Sequence, residues 1–256
     1  MKRLALGALL AVAAAIPAQA ADLPVKAPPP IIPLYNWSGF YIGGNLGYSW
    51  GRTSTDFNTT IAAANSSGSA DIDGWIGGGQ IGINWQTGAM VWGLEGDIQA
   101  TGQKGGVTAT CPLGVCVARL DVSADQKLTW LATFRARLGW LVMPTTLLYV
   151  TGGLAAGEVK TDVTLTATDA LGAVQSVSGG TATTKTGWTI GAGLETALGA
   201  SNWTGKIEYL YVDLGSIDNT VTATAGVVLP AALTVASNSR VTDNIIRFGL
   251  NYRFGR

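Results

Sequence analysis

The chain has 256 residues, with 16 Lys+Arg against 16 Asp+Glu, no histidine, and a charged share of only 12%. A neutral balance offers nucleic acid nothing to hold, and the missing histidine excludes a Ser-His-Asp hydrolase, histidine-based zinc sites and histidine acid–base chemistry. The 35 glycines without a collagen period, nine tryptophans and scarce charge do not describe an ordinary soluble globule.

Met1-Lys2-Arg3, an apolar run from Leu4 to about Ile16, and Ala18-Gln19-Ala20 read as a secretory leader spanning residues 1–20. The run is short, rich in small residues and interrupted by Pro17, unlike a membrane anchor. Without Lys2 and Arg3 the 16 basic residues fall to 14, against 16 acidic. Residues 21–36 carry five prolines, which lack the N–H a ladder needs, and read as an extended periplasmic tail. Residues 37–256 are left for one folded domain.

From Phe40 onward the pattern has a period of two. Phe40, Ile42, Leu46, Tyr48 and Trp50 share one face; Tyr41, Gly43, Asn45, Gly47 and Ser49 share the other. A first strand, about Gly39–Arg52, follows. The second, about Asp71–Trp85, puts Trp75, Ile81, Ile83 and Trp85 on the greasy face. Asp73 is in phase with them and is expected at the rim, because a charge facing lipid is costly. The third, about Ala89–Thr101, turns Met90, Trp92, Leu94 and Ile98 out and Glu95, Asp97 and Gln99 in. The fourth, about Thr129–Leu141, turns Trp130, Phe134, Leu138 and Trp140 out and Thr133, Arg135 and Arg137 in. The fifth, about Thr146–Thr161, faces Tyr149, Thr151 and Gly153 inward. The sixth, about Lys185–Leu198, carries Glu195 inward; the seventh, about Trp203–Leu214, carries Lys206 and Glu208. Leu210, Val212 and Leu214 break the polar phase, which suggests a bulge or an exit from the membrane. The eighth, about Val241–Phe254, faces Arg247, Asn251 and Arg253 inward.

The connections alternate. Gln86–Gly88, Met143–Thr145 and Gly199–Asn202 are short turns, whereas Thr53–Ala70, Gly102–Leu128, Asp162–Thr184 and Gly215–Arg240 are long and polar. No later stretch reaches 18 apolar residues, so helical spans are not expected. An even strand count with long loops on one rim predicts an all-β fold: an eight-stranded, antiparallel, transmembrane up-and-down β-barrel with four long extracellular loops, in the cell outer membrane. Tryptophans at strand ends then read as interfacial girdles.

Eight strands leave an interior just wide enough for side chains to fill. The inward charges are Glu95, Asp97, Glu195 and Glu208 against Arg135, Arg137, Lys206, Arg247 and Arg253. Buried charges must be paired, so a salt-bridged lumen is expected, structural in role or serving as a gate whose pairs exchange. Cys111 and Cys116, five apart in an exported chain, predict a disulfide at a loop tip. No phosphate-binding loop occurs and no histidine is present to activate a nucleophile, so no enzyme and no cofactor are expected.

Several stretches resemble the porin-like outer-membrane proteins of alphaproteobacteria, the 25- and 31-kDa immunogenic proteins of Brucella and their rhizobial relatives. They are NWSGFYIGGNLGYSWG at Asn36–Gly51, WIGGGQIGINWQ at Trp75–Gln86, KIEYLYVDLG at Lys206–Gly215 and NIIRFGLNYRFG at Asn244–Gly255. The resemblance implies an outer-membrane barrel, surface exposure, immunogenic loops and a role in envelope integrity. It brings no catalytic residues. The usual terminal aromatic corresponds to Phe254, here followed by Gly255-Arg256. Three functions compete: a structural envelope protein, a narrow porin-like channel for small solutes, and an adhesin or receptor acting through its loops. The partners implied are outer-membrane lipid and lipopolysaccharide, the barrel-assembly machinery through the C-terminal strand, and a surface ligand of the loops.

Overall fold

The computed structural model describes residues 35–59, 66–112, 116, 118–223 and 233–254. The expected leader at 1–20 and the tail up to residue 34 lie outside the described residues, as do 60–65 and 224–232. The strands are β1 (Gly39–Thr59), β2 (Ser66–Thr87), β3 (Met90–Thr101), β4 (Lys104–Cys111), β5 (Arg119–Met143), β6 (Thr146–Thr168), β7 (Val174–Ala197), β8 (Trp203–Ala223) and β9 (Leu233–Arg253). β3 and β4 continue one line along the flank of β5, so the wall is a ring of eight antiparallel strand positions closed by the β1–β2 pair. Closure satisfies every strand edge inside hydrocarbon, the condition for a sheet to cross a membrane.

The alternation decides the two faces. Phe40, Ile42, Leu46 and Trp50 are exposed on the outer wall, while Tyr41, Asn45, Gly47 and Ser49 between them are buried in the lumen. Aromatic pairs brace both rims: Trp85 stacks on Trp92 at 4.7 Å across β2 and β3 at the periplasmic end, and Tyr48 meets Trp75 edge-on at 5.5 Å at the outer end. Asp73 lies on the outer face beside that second pair and accepts a hydrogen bond from Tyr48. The short turns lie at the periplasmic rim, and the β2–β3 turn uses Gly88 at φ +62°.

The outer connections are long, but much of each is strand. β1 and β2 stay in register out to Phe57↔Ser66, β5 and β6 out to Arg119↔Thr168, and β8 and β9 out to Ala223↔Leu233. These stretches are Thr-, Ser- and Val-rich. Outside the bilayer no lipid-facing apolar face is required, and the alternation persists with its faces exchanged: Leu120, Val122, Val163 and Leu165 turn inward between polar residues. Two seams open in this outer part. Among the described residues, β7–β8 pairing ends at Trp188↔Asp213, and β2 meets β4 only at Asp73↔Lys104. The extension therefore divides into two ribbons, β4-β5-β6-β7 and β8-β9-β1-β2.

Register shifts occur between Leu128 and Trp130, between Leu141 and Met143 at the turn end of β5, and between Asp213 and Ser216, the last with Gly215 at φ +75°. Leu210, Val212 and Leu214, the residues that broke the polar phase, do not leave the barrel. They keep facing inward, and the β8 bulge falls at the last of them, between Asp213 and Ser216.

Candidate functional site in the barrel lumen

The lumen is filled in layers, and the N-terminal approach to β1 supplies the first. In the period-two phase Trp37 belongs with Tyr41 and Asn45, so it points inward. It is fully buried beneath the barrel with Tyr35, Val91, Leu147 and Tyr149. Its amide donates to Gln86 Oε1 at 2.7 Å, and its carbonyl accepts from Arg253. The guanidinium of Arg253 also stands 5.1 Å over the Trp37 ring. The indole thus corks the periplasmic mouth.

Above the cork lies the charged layer. β3 and β5 place Glu95 directly opposite Arg135, and β8 and β9 place Glu208 opposite Arg247. Arg135 reaches Glu95, Asp97 at 2.8 Å and Glu208 at 3.0 Å, and its Nε donates to Thr133 at 2.9 Å. Arg247 meets Glu208 at 2.6 Å, Asp97 at 3.1 Å and Glu95 at 3.5 Å. Lys206 donates to both Glu95 oxygens at 2.9 Å. Arg137 pairs with Glu195 at 2.7 Å and more loosely with Glu95 at 3.4 Å. Every one of these side chains is 0–2% exposed. Four cations face four carboxylates, so the layer is neutral, and each carboxylate is further held by neutral donors. Gln99 and Thr133 donate to Asp97 at 2.8 Å, and Asn251 donates to Glu195 at 3.0 Å.

Of the nine charged residues expected to line the lumen, these eight come together. Arg253 does not: among the described residues it makes no ion pair and instead holds the cork. The height at which its strand meets the periplasmic rim separates it from the others.

Two tyrosines are part of the layer, and inward phase alone did not mark them. Tyr41 donates to Glu95 at 2.7 Å and accepts from Arg137 at 2.7 Å. Tyr149 donates to Glu208 at 2.9 Å, and the Arg137 guanidinium stands 4.0 Å over its ring. The signal was present in their neighbours. A Cβ at Gly82 would lie 2.3 Å from the Tyr41 ring, and one at Gly193 would lie 2.5 Å from the Tyr149 hydroxyl. Inward glycines beside inward tyrosines are the space the rings occupy.

The third layer is apolar. Ile76, Leu128, Leu131, Leu210, Leu214 and Ile245 meet in the outer half of the lumen. Over it, Gln103 donates to Asp243 at 2.7 Å and also contacts Ser49, which donates to Asp243. Farther out, the ribbon β4–β7 encloses a separate core around Leu120, Val122, Val163 and Leu165. Cys111 and Cys116 are disulfide-bonded at its edge. Beside them Thr110 and Arg119 donate to Asp121 at 2.7 and 3.0 Å, and together they hold its carboxyl below the usual carboxylate range. Among the described residues no group of three or more metal-ligating side chains converges.

Residues 6–254 match the family described as outer membrane protein beta-barrel domain. The chain is 37% identical to the 31 kDa outer-membrane immunogenic protein of Brucella melitensis over 251 residues, covering 93% of each chain. It is 29% identical to the 25 kDa outer-membrane immunogenic protein of Brucella abortus, covering 90% of this chain and 85% of that protein. With the 22 kDa outer membrane protein of Rhizobium leguminosarum it shares 31% identity, covering 74% of this chain and 70% of that protein.

Proposed function

The chain belongs to the outer membrane protein beta-barrel family, and on that premise we propose that it is a structural, surface-exposed envelope protein whose lumen is a packed core. The observation that carries this reading is the three-layer filling: an indole cork, a neutral layer of eight paired charges and an apolar layer, stacked along one axis. A water path would have to pass all three. That each carboxylate of the charged layer is ion-paired also supports a non-catalytic role, since none is left to exchange protons with a substrate. Insertion by the barrel-assembly machinery through β9, and immunogenicity of the kind in the relatives' names, carried here by the outer hairpins, belong to the same reading.

The narrow-channel alternative draws on one feature. Arg137 Nε and Arg247 Nη1 are buried without a protein acceptor, which favours small solvated spaces beside the pairs. The adhesin alternative draws on the outer ribbon, whose own core and disulfide give a ligand a firm surface. Planar-bilayer conductance separates the first two. Wild type, Trp37→Ala and Arg135→Ala/Arg137→Ala, the last once shown to be folded by its heat-shifted gel mobility, are all expected to stay closed, because each variant leaves two of the three layers in place. Steady, discrete openings of wild type would overturn the structural reading.

A further inference from the structure

Just beyond the outer girdle, three lysines stand in a row across the wall. Cross-strand register places Lys104 opposite Lys127, and Lys127 opposite Lys160. All three are exposed on the outer face, because their neighbours Gln103, Gln126 and Val159 are the ones that point inward. Residues directly opposite in an antiparallel pair have Cβ atoms about 4.5–5.5 Å apart, and like charges so placed destabilise the sheet. Asp73 stands opposite Lys104 at one end of the row and takes up the Tyr48 hydroxyl, and among the described residues none of the three lysines forms an ion pair. Asp125 and Asp162, one step farther out on the same face, face each other across β5 and β6 instead.

The height of the row identifies what meets it. Lys127 precedes the girdle residue Trp130 by three positions, which is on the order of 7–10 Å along a strand and about 5–8 Å in height once a tilt of 35–45° is allowed for. The headgroup layer on each side of the hydrocarbon is about 5–8 Å deep. The lysines therefore stand at the level of outer-leaflet headgroups.

Two concavities on the same strands complete the arrangement. At the row, a hollow of about 490 Å³ is floored by Gly105 and Gly106 and walled by Lys104, Lys127, Asp125 and Asp162. Below it, a lipid-facing groove of about 600 Å³ runs between β5, β6 and β7, where Ala132, Ala156 and Gly187 leave room between Phe134 and Leu154. Ammonium groups hold phosphate, carboxylates accept from sugar hydroxyls, and a bare apolar groove takes an acyl chain.

We infer that this face of β4–β6 binds the phosphorylated sugar headgroup of an outer-leaflet glycolipid, with Lys104, Lys127 and Lys160 on its phosphates and an acyl chain in the groove beneath. A surface lysine near an anionic headgroup contributes about fivefold in affinity, so the row contributes on the order of 100-fold.

Native mass spectrometry of the full chain in detergent, titrated with bisphosphorylated lipid A, tests this. Wild type is expected to retain the lipid and to reject its dephosphorylated form. Lys104→Gln/Lys127→Gln/Lys160→Gln is expected to weaken retention about 100-fold, and Lys127→Gln alone about fivefold, which keeps the test open if the triple variant fails to fold. Inorganic phosphate in excess should not displace the lipid. Retention of the two lipid forms by wild type to the same extent would overturn the proposal, as would unchanged binding by the lysine variants. So would displacement by inorganic phosphate. Loss of binding on chelation or in Asp125→Asn/Asp162→Asn, with the lysine variants unaffected, would replace it with a cation bridge.

Discussion

Replacing Arg135 by methionine keeps most of its volume and deletes one charge from a neutral layer. The guanidinium contacts Glu95, Asp97, Glu208 and Thr133, all within a lumen where Arg135 itself is 0% exposed. Its loss leaves four carboxylates facing three cations. The remaining partners soften the change: Arg247 still reaches Asp97 at 3.1 Å and Glu208 at 2.6 Å, and Lys206 still holds Glu95 at 2.9 Å. One uncompensated buried charge persists regardless, and breaking a buried pair from one side costs about 3–5 kcal/mol. Glu95→Gln unbalances the layer in the opposite sense by a similar amount. The double variant restores neutrality, so it should be more stable than the sum of the singles implies, with a coupling of about 2–3 kcal/mol. Equilibrium urea unfolding of the barrel in phosphatidylcholine vesicles, at one pH and ionic strength, measures all four corners. A cost below about 1 kcal/mol for Arg135→Met would mean that its partners are solvated as surface pairs are, and the packed-lumen reasoning would fail. Additivity within about 0.5 kcal/mol would show that the two residues do not share a network.

Gly82→Ala should push the Tyr41 ring from its hydrogen bond with Glu95 and cost about 1–3 kcal/mol in the same assay. At Gly79, which faces lipid and whose nearest neighbour to an added Cβ is a backbone oxygen 3.8 Å away, the same change should stay within about 0.5 kcal/mol. Cys111→Ser/Cys116→Ser removes a closure of separation five, worth about 2 kcal/mol in a chain-entropy account. Limited proteolysis should then cut the β4–β5 hairpin faster while the heat-shifted gel mobility of the barrel is unchanged; a global loss of that mobility would contradict the separation of the outer core from the lumen. The Thr110–Asp121 tie across the same hairpin should persist from neutral pH down to about pH 4 and weaken below that, as the carboxyl, held low in the fold, finally takes a proton. Amide exchange across Thr110–Asp121 between pH 7 and pH 3 reads that loss.

The wall was legible because lipid imposes a strict rule on alternate residues. Phe40, Ile42, Leu46 and Trp50 can face only hydrocarbon, so their phase fixes the inward set, including all four carboxylates of the charged layer. Partnership was less legible. Which cation meets which carboxylate depends on register and strand stagger, and these separate Arg253 from the eight residues of the layer. Above the outer girdle the rule lapses: Leu120, Val122, Val163 and Leu165 still alternate with polar residues, but they point inward, so a reading that seeks a greasy outer face takes the continuations of β5 to Arg119 and β6 to Thr168 for loop. Trp37 was readable from its odd phase, whereas Tyr35, which joins it in the cork, falls at the end of the proline-rich stretch, where no alternation marks it.

The order of the lumen layers bears on how register is specified. A one-residue slip in a strand exchanges its two faces, and the error is expensive only where those faces differ. In the inner half they differ strongly: Arg135 and Glu208 would turn to lipid, and Phe134 and Ile207 would turn to charge. In the outer half Leu210, Val212 and Leu214 make the inner face of β8 as apolar as its outer face, and Leu128 and Leu131 do the same for β5. There the penalty for slipping is small, and there, apart from the shift at Leu141/Met143 beside the β5–β6 turn, the strands depart from simple pairing, β5 at Leu128/Trp130 and β8 at Asp213/Ser216. The charged layer thus does what an apolar core could not. Salt bridges are weak evidence for stability in themselves, but they make inside and outside unequal for the strands that share them. The apolar layer can occupy the outer half of the lumen because the register of the wall has already been set beneath it.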